Sequence, residues 1–447
     1  MPGSCTILHA MPSLVRRLTP HVLGAWLMVG ALVPRVSPLR PLYLVNTYVV
    51  VPALLGAALL DYALRHRRRW ALRIRLSDLT LAVFMLWAAV SIFLHHDPDA
   101  IVRRQLIELW RAFAVPIAAF WTIRLARPRA GAFAGWLAPL VALCTLEVGI
   151  GFLAWLRPSA LPPFWPGLVE ETGGARITGT LPQPDVYAAL LVFCATIVVQ
   201  VGAGAVSKAD RVLAGTGVAL AFTGVFLSFS RASWLGGLIA LAILVASYGR
   251  RLAVPCVVIA LAVLGLSRVR VGSAPLPESS KAPGAQALQG GGYAGSRLTM
   301  AWTIRDRAVL DAAGTKMFLA KPLLGWGFGS YDRHARGFVT PVGPFFATDW
   351  DRNEAASHCT HLSILAETGL VGYALLAAPA VQLVVAAARR RQGLRRDRYF
   401  LGLCATAAFL AVVSALIDLR YVAYSLDLAA VVVGLIAVRM EADGSEG

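Results

Sequence analysis

Apolar runs of about 20 residues recur along this chain from end to end, and that recurrence restricts its fold more than any motif does. Inside a bilayer no water is present to satisfy backbone N–H and C=O groups, so a spanning chain must be helical or close into a barrel. The runs fall near 20–36, 41–63, 76–94, 105–124, 132–155, 185–206, 212–230, 234–249, 252–267, 362–387, 399–418 and 422–438. They predict an all-α, polytopic integral membrane protein with about twelve transmembrane helices. Composition agrees: 57% of residues are hydrophobic, 15% are charged and the mean hydropathy is +0.66. The first run, from about His21 to Val33, has no small-residue cleavage site and leads straight into the next, so it reads as a span rather than a signal peptide.

Arginine placement sets the orientation. Arg65 to Arg69, Arg124 to Arg129, Arg250-Arg251 and Arg389 to Arg398 all fall on one side if both termini are cytoplasmic, which is the positive-inside pattern. Residues 1–267 then hold nine spans, 268–361 form a large outer loop, and 362–447 hold three more spans and a cytoplasmic tail. Much of the net charge of +18 is this topogenic arginine, so nucleic acid is not an expected partner. The rest lies on the outer face: Arg176, Arg231, Arg268, Arg270, Arg297, Arg305, Arg307, Arg333, Arg336 and Arg352. Positive charge is normally scarce there, and its accumulation points to an anionic ligand, with plain solubilisation of a large loop as the simpler explanation for part of it.

Two outer segments break the helical rhythm. Arg157 to Pro184 is rich in Pro, Gly and Trp. In the larger loop, Ser273 to Gly295 reads as a flexible linker, and Arg297 to Leu319 as an interrupted amphipathic helix lying on the membrane surface. Gly325-Trp326-Gly327-Phe328-Gly329-Ser330-Tyr331 marks a tight turn with close backbone approach; it lacks the strand and helix context of a dinucleotide site. The loop returns to the membrane at Ser357-His358-Cys359-Thr360-His361, which holds an imidazole at the head of the next span. Cys144, Cys194, Cys256 and Cys404 sit within apolar spans as small hydrophobes, and Cys359 is alone on the outer face, so no disulfide framework is expected.

Four stretches, in order, resemble the O-antigen ligase and O-antigen polymerase superfamily of envelope glycan transfer. They are Arg176-Ile177-Thr178-Gly179 with Pro184-Asp185; Leu227 to Trp234, containing Ser230-Arg231-Ala232-Ser233; Arg297 with Lys321 to Gly329; and His358 with Ala366-Glu367-Thr368-Gly369. They cover about the C-terminal two-thirds of the chain. Two positions depart from the family pattern: Cys359 replaces the Asn usual after the loop histidine, and Asp185 replaces the Asn usual after the helix-opening proline.

The resemblance implies a C-type glycosyltransferase-like fold in the bacterial inner membrane, with a site facing the periplasm. It implies transfer of a glycan from undecaprenyl pyrophosphate to a sugar hydroxyl of lipid A–core, or to a growing glycan in a polymerase. A protein O-oligosaccharyltransferase would share the same site logic. Membrane lipids are the remaining partners and no cofactor is expected. The residue chemistry suits this reaction. A pyrophosphate leaves as an anion, and arginine's planar fork binds two phosphate oxygens while staying charged. The acceptor hydroxyl needs a proton acceptor, and histidine serves near neutral pH.

His358 is therefore the candidate base or acceptor-positioning group, with Arg176, Arg231 and Arg297 as the pyrophosphate clamp and Asp185 and Tyr331 as further substrate contacts. Plainer roles stand beside these: a helix start for His358, a snorkelling interface residue for Arg231, and loop salt bridges for Arg176 and Arg297. His361 reads as a polar-face residue. No metal is expected, because His358 and His361 lack a third ligand. The Asp97-Pro98-Asp99 and Asp349-Trp350-Asp351 triplets are the alternative. A different class, a transporter or flippase of lipid-linked glycans, would use intramembrane groups such as Asp61, Asp78, Glu108, Arg111, Glu147 and Asp418, with Glu108 and Arg111 spaced to pair on one helix face.

Overall fold

The computed structural model describes residues 4–33, 38–65, 75–95, 102–128, 135–165, 167–171, 174–204, 207–249, 301–339, 357–389, 397–421 and 423–442. Among these, nine helices are long and apolar enough to cross a membrane. The long helices are α1 (Ser4–Leu32), α2 (Arg40–Leu64), α3 (Leu76–Leu94), α4 (Val102–Ala126), α5 (Leu137–Leu156), α6 (Pro184–Gly204), α7 (Lys208–Leu227), α8 (Arg231–Tyr248) and α9 (Ala301–Ala320). The short α10 (Tyr331–Ala335) precedes α11 (Thr360–Arg389), α12 (Arg398–Leu416) and α13 (Ala423–Ala442). The nine are α2 to α8, α11 and α12; the runs expected at 20–36 and 422–438 fall on α1 and α13, which are not among those nine, and the run at 252–267 lies outside the described residues.

Residues 184–199 of α6 are buried without exception, so this helix is the axis of the bundle. Its sequence is apolar all round, as a helix with no solvent- or lipid-facing side requires. Around it pack α5, α7, α8, α12 and α13, while α4 lies against α13 and α3 against α11. Small residues allow the closest approaches: Gly217 of α7 meets Val141 and Val198, and Gly236 of α8 meets Phe409 of α12.

One end of the bundle is knitted by arginines. Glu441 of α13 receives Arg75 at 2.9 Å and Arg124 and Arg127 at 3.0 Å each, and Arg124 also pairs with Asp78. Arg439 pairs with Asp397 at the head of α12, and Arg398 lies over the Tyr248 ring at the tail of α8. The basic ends of α3, α4, α8, α12 and α13 therefore share one level, as the positive-inside reading requires.

The opposite end carries the irregular segments. β1 (Gly167–Glu171) pairs antiparallel with β2 (Gly174–Gly179), a small β element in the expected all-α chain. Its anchorage is polar. Trp165 Nε1 donates to Leu32 O at 3.1 Å, and Thr180 Oγ1 bonds Ala31 O at 2.8 Å at the tail of α1. In the segment expected as an interrupted amphipathic helix, α9 runs unbroken over Ala301–Ala320, and Leu310, Ala313, Gly314 and Met317 form a buried stripe at helical spacing that faces protein, with Leu362 of α11 against Gly314.

Candidate active site

The described parts of the four motif stretches make contact in two pairs toward the β1–β2 end of the bundle. The first contact is between the turn before α6 and the turn before α8. Asp185, in the first turn of α6, accepts hydrogen bonds from Ser230 Oγ and, at 2.9 Å, from Ser233 Oγ. Arg176 Nη2 lies 3.7 Å from Asp185 Oδ2, and its Nε donates to Ser228 O at 3.2 Å. Phe229, between them, adopts φ 47°, a strained region for a bulky residue. Its buried ring lies between Trp155 and Trp234 and holds that backbone in place. The strain turns Ser228 O toward Arg176 and leaves Ser230 as the N-cap of α8, accepting from Ser233 N at 3.3 Å. Arg231 is the first residue of that helix and keeps part of its surface open.

The second contact is between the head of α11 and the turn joining α12 to α13. Thr360 Oγ1 donates to Ile417 O and accepts from Leu419 N, both at 2.9 Å. Ser363 Oγ lies 2.5 Å from Asp418 Oδ2. Arg420, only 2% exposed, spans two carboxylates: Nη2 meets Asp418 Oδ2 at 2.8 Å and Nη1 meets Glu367 Oε2 at 2.5 Å. The other oxygen of Glu367 takes the backbone N–H of Tyr331 at 3.1 Å.

The third contact joins the glycine turn to the broken middle of α11. Gly369 leaves helical geometry (φ 66°, ψ −173°) and splits the helix. Trp326 N donates to Ala366 O at 3.0 Å, Gly327 N to Glu367 O at 2.8 Å, and Leu370 N to Pro322 O at 2.8 Å. A Cβ on Gly325 would sit 2.3 Å from Glu367 O, and one on Gly369 would sit 2.2 Å from Leu323 O. Each glycine is therefore required by backbone of the segment that carries the other. The expected close-approach turn is present, and its partner is protein.

His358 lies half-buried between these contacts. Burial pulls its pKa down to about 4; the Arg307 guanidinium of α9 acts in the same direction, while the Asp418 and Asp185 carboxylates oppose it. His358 is thus neutral near pH 7, within electrostatic reach of all three charged groups. The thiol of Cys359 is raised by burial and stays protonated. What Cys359 contributes at this point is backbone: its N–H donates to Ser357 Oγ at 3.1 Å, and its carbonyl accepts from Ser363 N at 3.1 Å.

The remaining expected site residues fall as follows. Asp185 is a buried acceptor at the turn junction, and Arg176 is nine-tenths buried beside it, so the pair braces the junction between the two turns. Tyr331 has its ring buried with Met317, Ala335 and Ala366, and its hydroxyl donates to Leu310 O at 3.2 Å, so it also supports the loop from beneath. His361 bonds Ser414 and Tyr373, away from any paired ligand. Arg297, Arg268, Arg270, Arg352 and both Asp-x-Asp triplets lie outside the described residues. No group of three or more His, Cys, Asp or Glu among the described residues is arranged to hold a metal ion.

Arg420 was the residue that sequence reasoning passed over, and Arg307 stood unremarked in the list of outer arginines. The signal was present in Asp418-Leu419-Arg420, opposite charges two apart in a short break between two spans. Glu108 and Arg111 form no ion pair within 4 Å among the described residues; Arg111 acts electrostatically on Asp427 of α13. A scan against protein-family models matches none of them, and no curated protein sequence matches the chain.

Proposed function

We propose that this chain is an O-antigen ligase-like glycosyltransferase of the bacterial inner membrane, moving a glycan from undecaprenyl pyrophosphate to a sugar hydroxyl of lipid A–core on the periplasmic face. The observation that carries the reading is the placing of neutral His358 beside the Asp185–Arg176 junction, the Asp418–Arg420 turn and Arg307, at the end opposite the basic cluster.

In this reading the acceptor oxygen attacks the anomeric carbon of the donor sugar. The bond from that carbon to the pyrophosphate oxygen breaks, and its electron pair leaves with the phosphate. Arg231 at the head of α8 favours that anion. Arg297 is the further clamp arginine. Arg176 braces the junction through Asp185 and Ser228 O.

The acceptor proton passes to His358. A base held near 4 is weak against a free alcohol. It suffices where the proton leaves late, because the hydroxyl turns acidic only as its oxygen bonds to an oxocarbenium-like carbon.

Polymerase and protein O-oligosaccharyltransferase activities fit the same site and differ in acceptor. The transporter reading rests on a separate observation, Arg111 and Asp427 within electrostatic reach of each other with no ion pair between them. Purified protein in liposomes with a polyprenyl-pyrophosphate glycan separates these outcomes. Product that requires lipid A–core marks a ligase, and a glycan ladder without it marks a polymerase. Donor lipid crossing the bilayer with no transfer overturns the proposal.

A further inference from the structure

The turn that follows α9 lies at an unexpected depth. Trp87 Nε1 of α3 donates to Thr368 O at 3.0 Å, and a Cβ on Gly372 would lie 2.9 Å from Trp87 Cδ1. Trp87 is seven residues before the end of α3 at Leu94, so this level is roughly 10 Å inside the helix end at 1.5 Å per residue. Pro322 and Leu323 are hydrogen-bonded to this same stretch, through Leu370 N at 2.8 Å and Val371 N at 3.3 Å. From there the chain climbs: Gly327 packs against Ser91 O and His95, and Phe328 N donates to Ser91 Oγ at 3.1 Å.

The surface at that depth is apolar. Leu319, Leu323 and Leu324 are 66%, 62% and 46% exposed, beside exposed Leu370 and Val371 of α11. Its backbone is provided for. Gly325 N bonds Lys321 O, Trp326 N bonds Ala366 O and Gly327 N bonds Glu367 O. Irregular backbone at membrane depth requires such partners. Lys321 is exposed between the leucines and lies with Nζ 3.9 Å from the centroid of the Trp326 ring, the pairing of basic and aromatic groups favoured at a membrane interface.

We infer that Leu319 and the Lys321–Leu324 turn form a re-entrant, lipid-contacting element, with Leu319, Leu323 and Leu324 seated among bilayer acyl chains beside Leu370 and Val371. The outer segment before His358 is then anchored in the membrane at the break in α11. This holds whatever reaction the protein carries out.

The test is site-directed spin labelling of full-length protein in nanodiscs, on a background with the native cysteines replaced. Labels go at Leu323→Cys and Leu324→Cys, with Leu86→Cys on the exposed face of α3 and Asp210→Cys at the head of α7 as references. The expected result is collisional access to oxygen exceeding access to a water-soluble nickel chelate, as at position 86 and opposite to position 210. Access like that at position 210, or access to neither reagent, overturns the inference. The unaltered protein gives a second reading that does not depend on the variants folding. Photo-crosslinking with diazirine-bearing acyl lipids places adducts on the 319–324 peptide if the element meets lipid, and none there if it does not.

Discussion

Arg420 Nη1 donates to Glu367 Oε2 at 2.5 Å while its Nη2 holds Asp418 Oδ2 at 2.8 Å, so one buried guanidinium joins the middle of α11 to the turn before α13. Removing one partner of a buried charge cluster leaves the others uncompensated and typically costs about 3–5 kcal/mol. Arg420→Ala is expected to lower thermal stability by that order, with Arg420→Lys intermediate because an ammonium lacks the fork. Unfolding of both variants in the same detergent checks this, and a wild-type midpoint for Arg420→Ala contradicts it.

Glu147 makes a finer prediction. Thr180 Oγ1 lies 2.5 Å from Glu147 Oε1 and 2.8 Å from Ala31 O, while Thr180 N donates to Glu147 Oε2 at 2.8 Å. The threonine has one hydroxyl proton, and the Ala31 carbonyl can only accept it. The other contact therefore needs a proton on Glu147, which is held as a carboxylic acid. Glu147→Gln reproduces every donor and acceptor and is expected to leave stability nearly unchanged. Glu147→Ala leaves Thr180 N unpaired, at roughly 1–3 kcal/mol. Equal damage from Gln and Ala would mean that charge matters at this position.

The glycine turn is tested at Gly369. Alanine there meets both an unfavourable positive φ and the Leu323 carbonyl at 2.2 Å. A loss above about 1 kcal/mol is expected from conformation alone, with the contact adding to it. Gly204→Ala, where a Cβ meets open space, is the control expected to be neutral.

The pH dependence follows from His358. Its pKa of about 4 keeps the imidazole neutral from pH 5 upward, so transfer should not lose activity through pH 6.5, where an ordinary histidine would protonate. Activity should fall only as pH drops through about 4. Arg307 lowers that pKa, so Arg307→Gln should move the acid limb to higher pH. An unmoved limb would show that Arg307 does not act on His358.

The helices were legible because lipid imposes one rule, and span length with arginine sidedness expresses it directly. α6 illustrates this: an uninterrupted apolar run became the buried axis. The glycine turn was equally readable, since closely spaced glycines announce backbone contact. What it contacts was not readable, because Glu367 and Gly325 are 42 positions apart and their meeting depends on the break at Gly369. The surroundings of Tyr331 were not readable for a related reason: an aromatic beside a motif can face a ligand or the core, and here its ring packs against Met317. Arg420 was hidden because a single arginine between spans resembles the many others that only set topology.

The central claim is that His358 takes part in glycan transfer, and a reconstituted assay with polyprenyl-pyrophosphate glycan and lipid A–core tests it most directly. Compared with wild type, folded His358→Ala should retain donor binding and lose transfer by about 10²–10⁴-fold, the range for a lost general base. Transfer at the wild-type rate in folded His358→Ala would contradict the account.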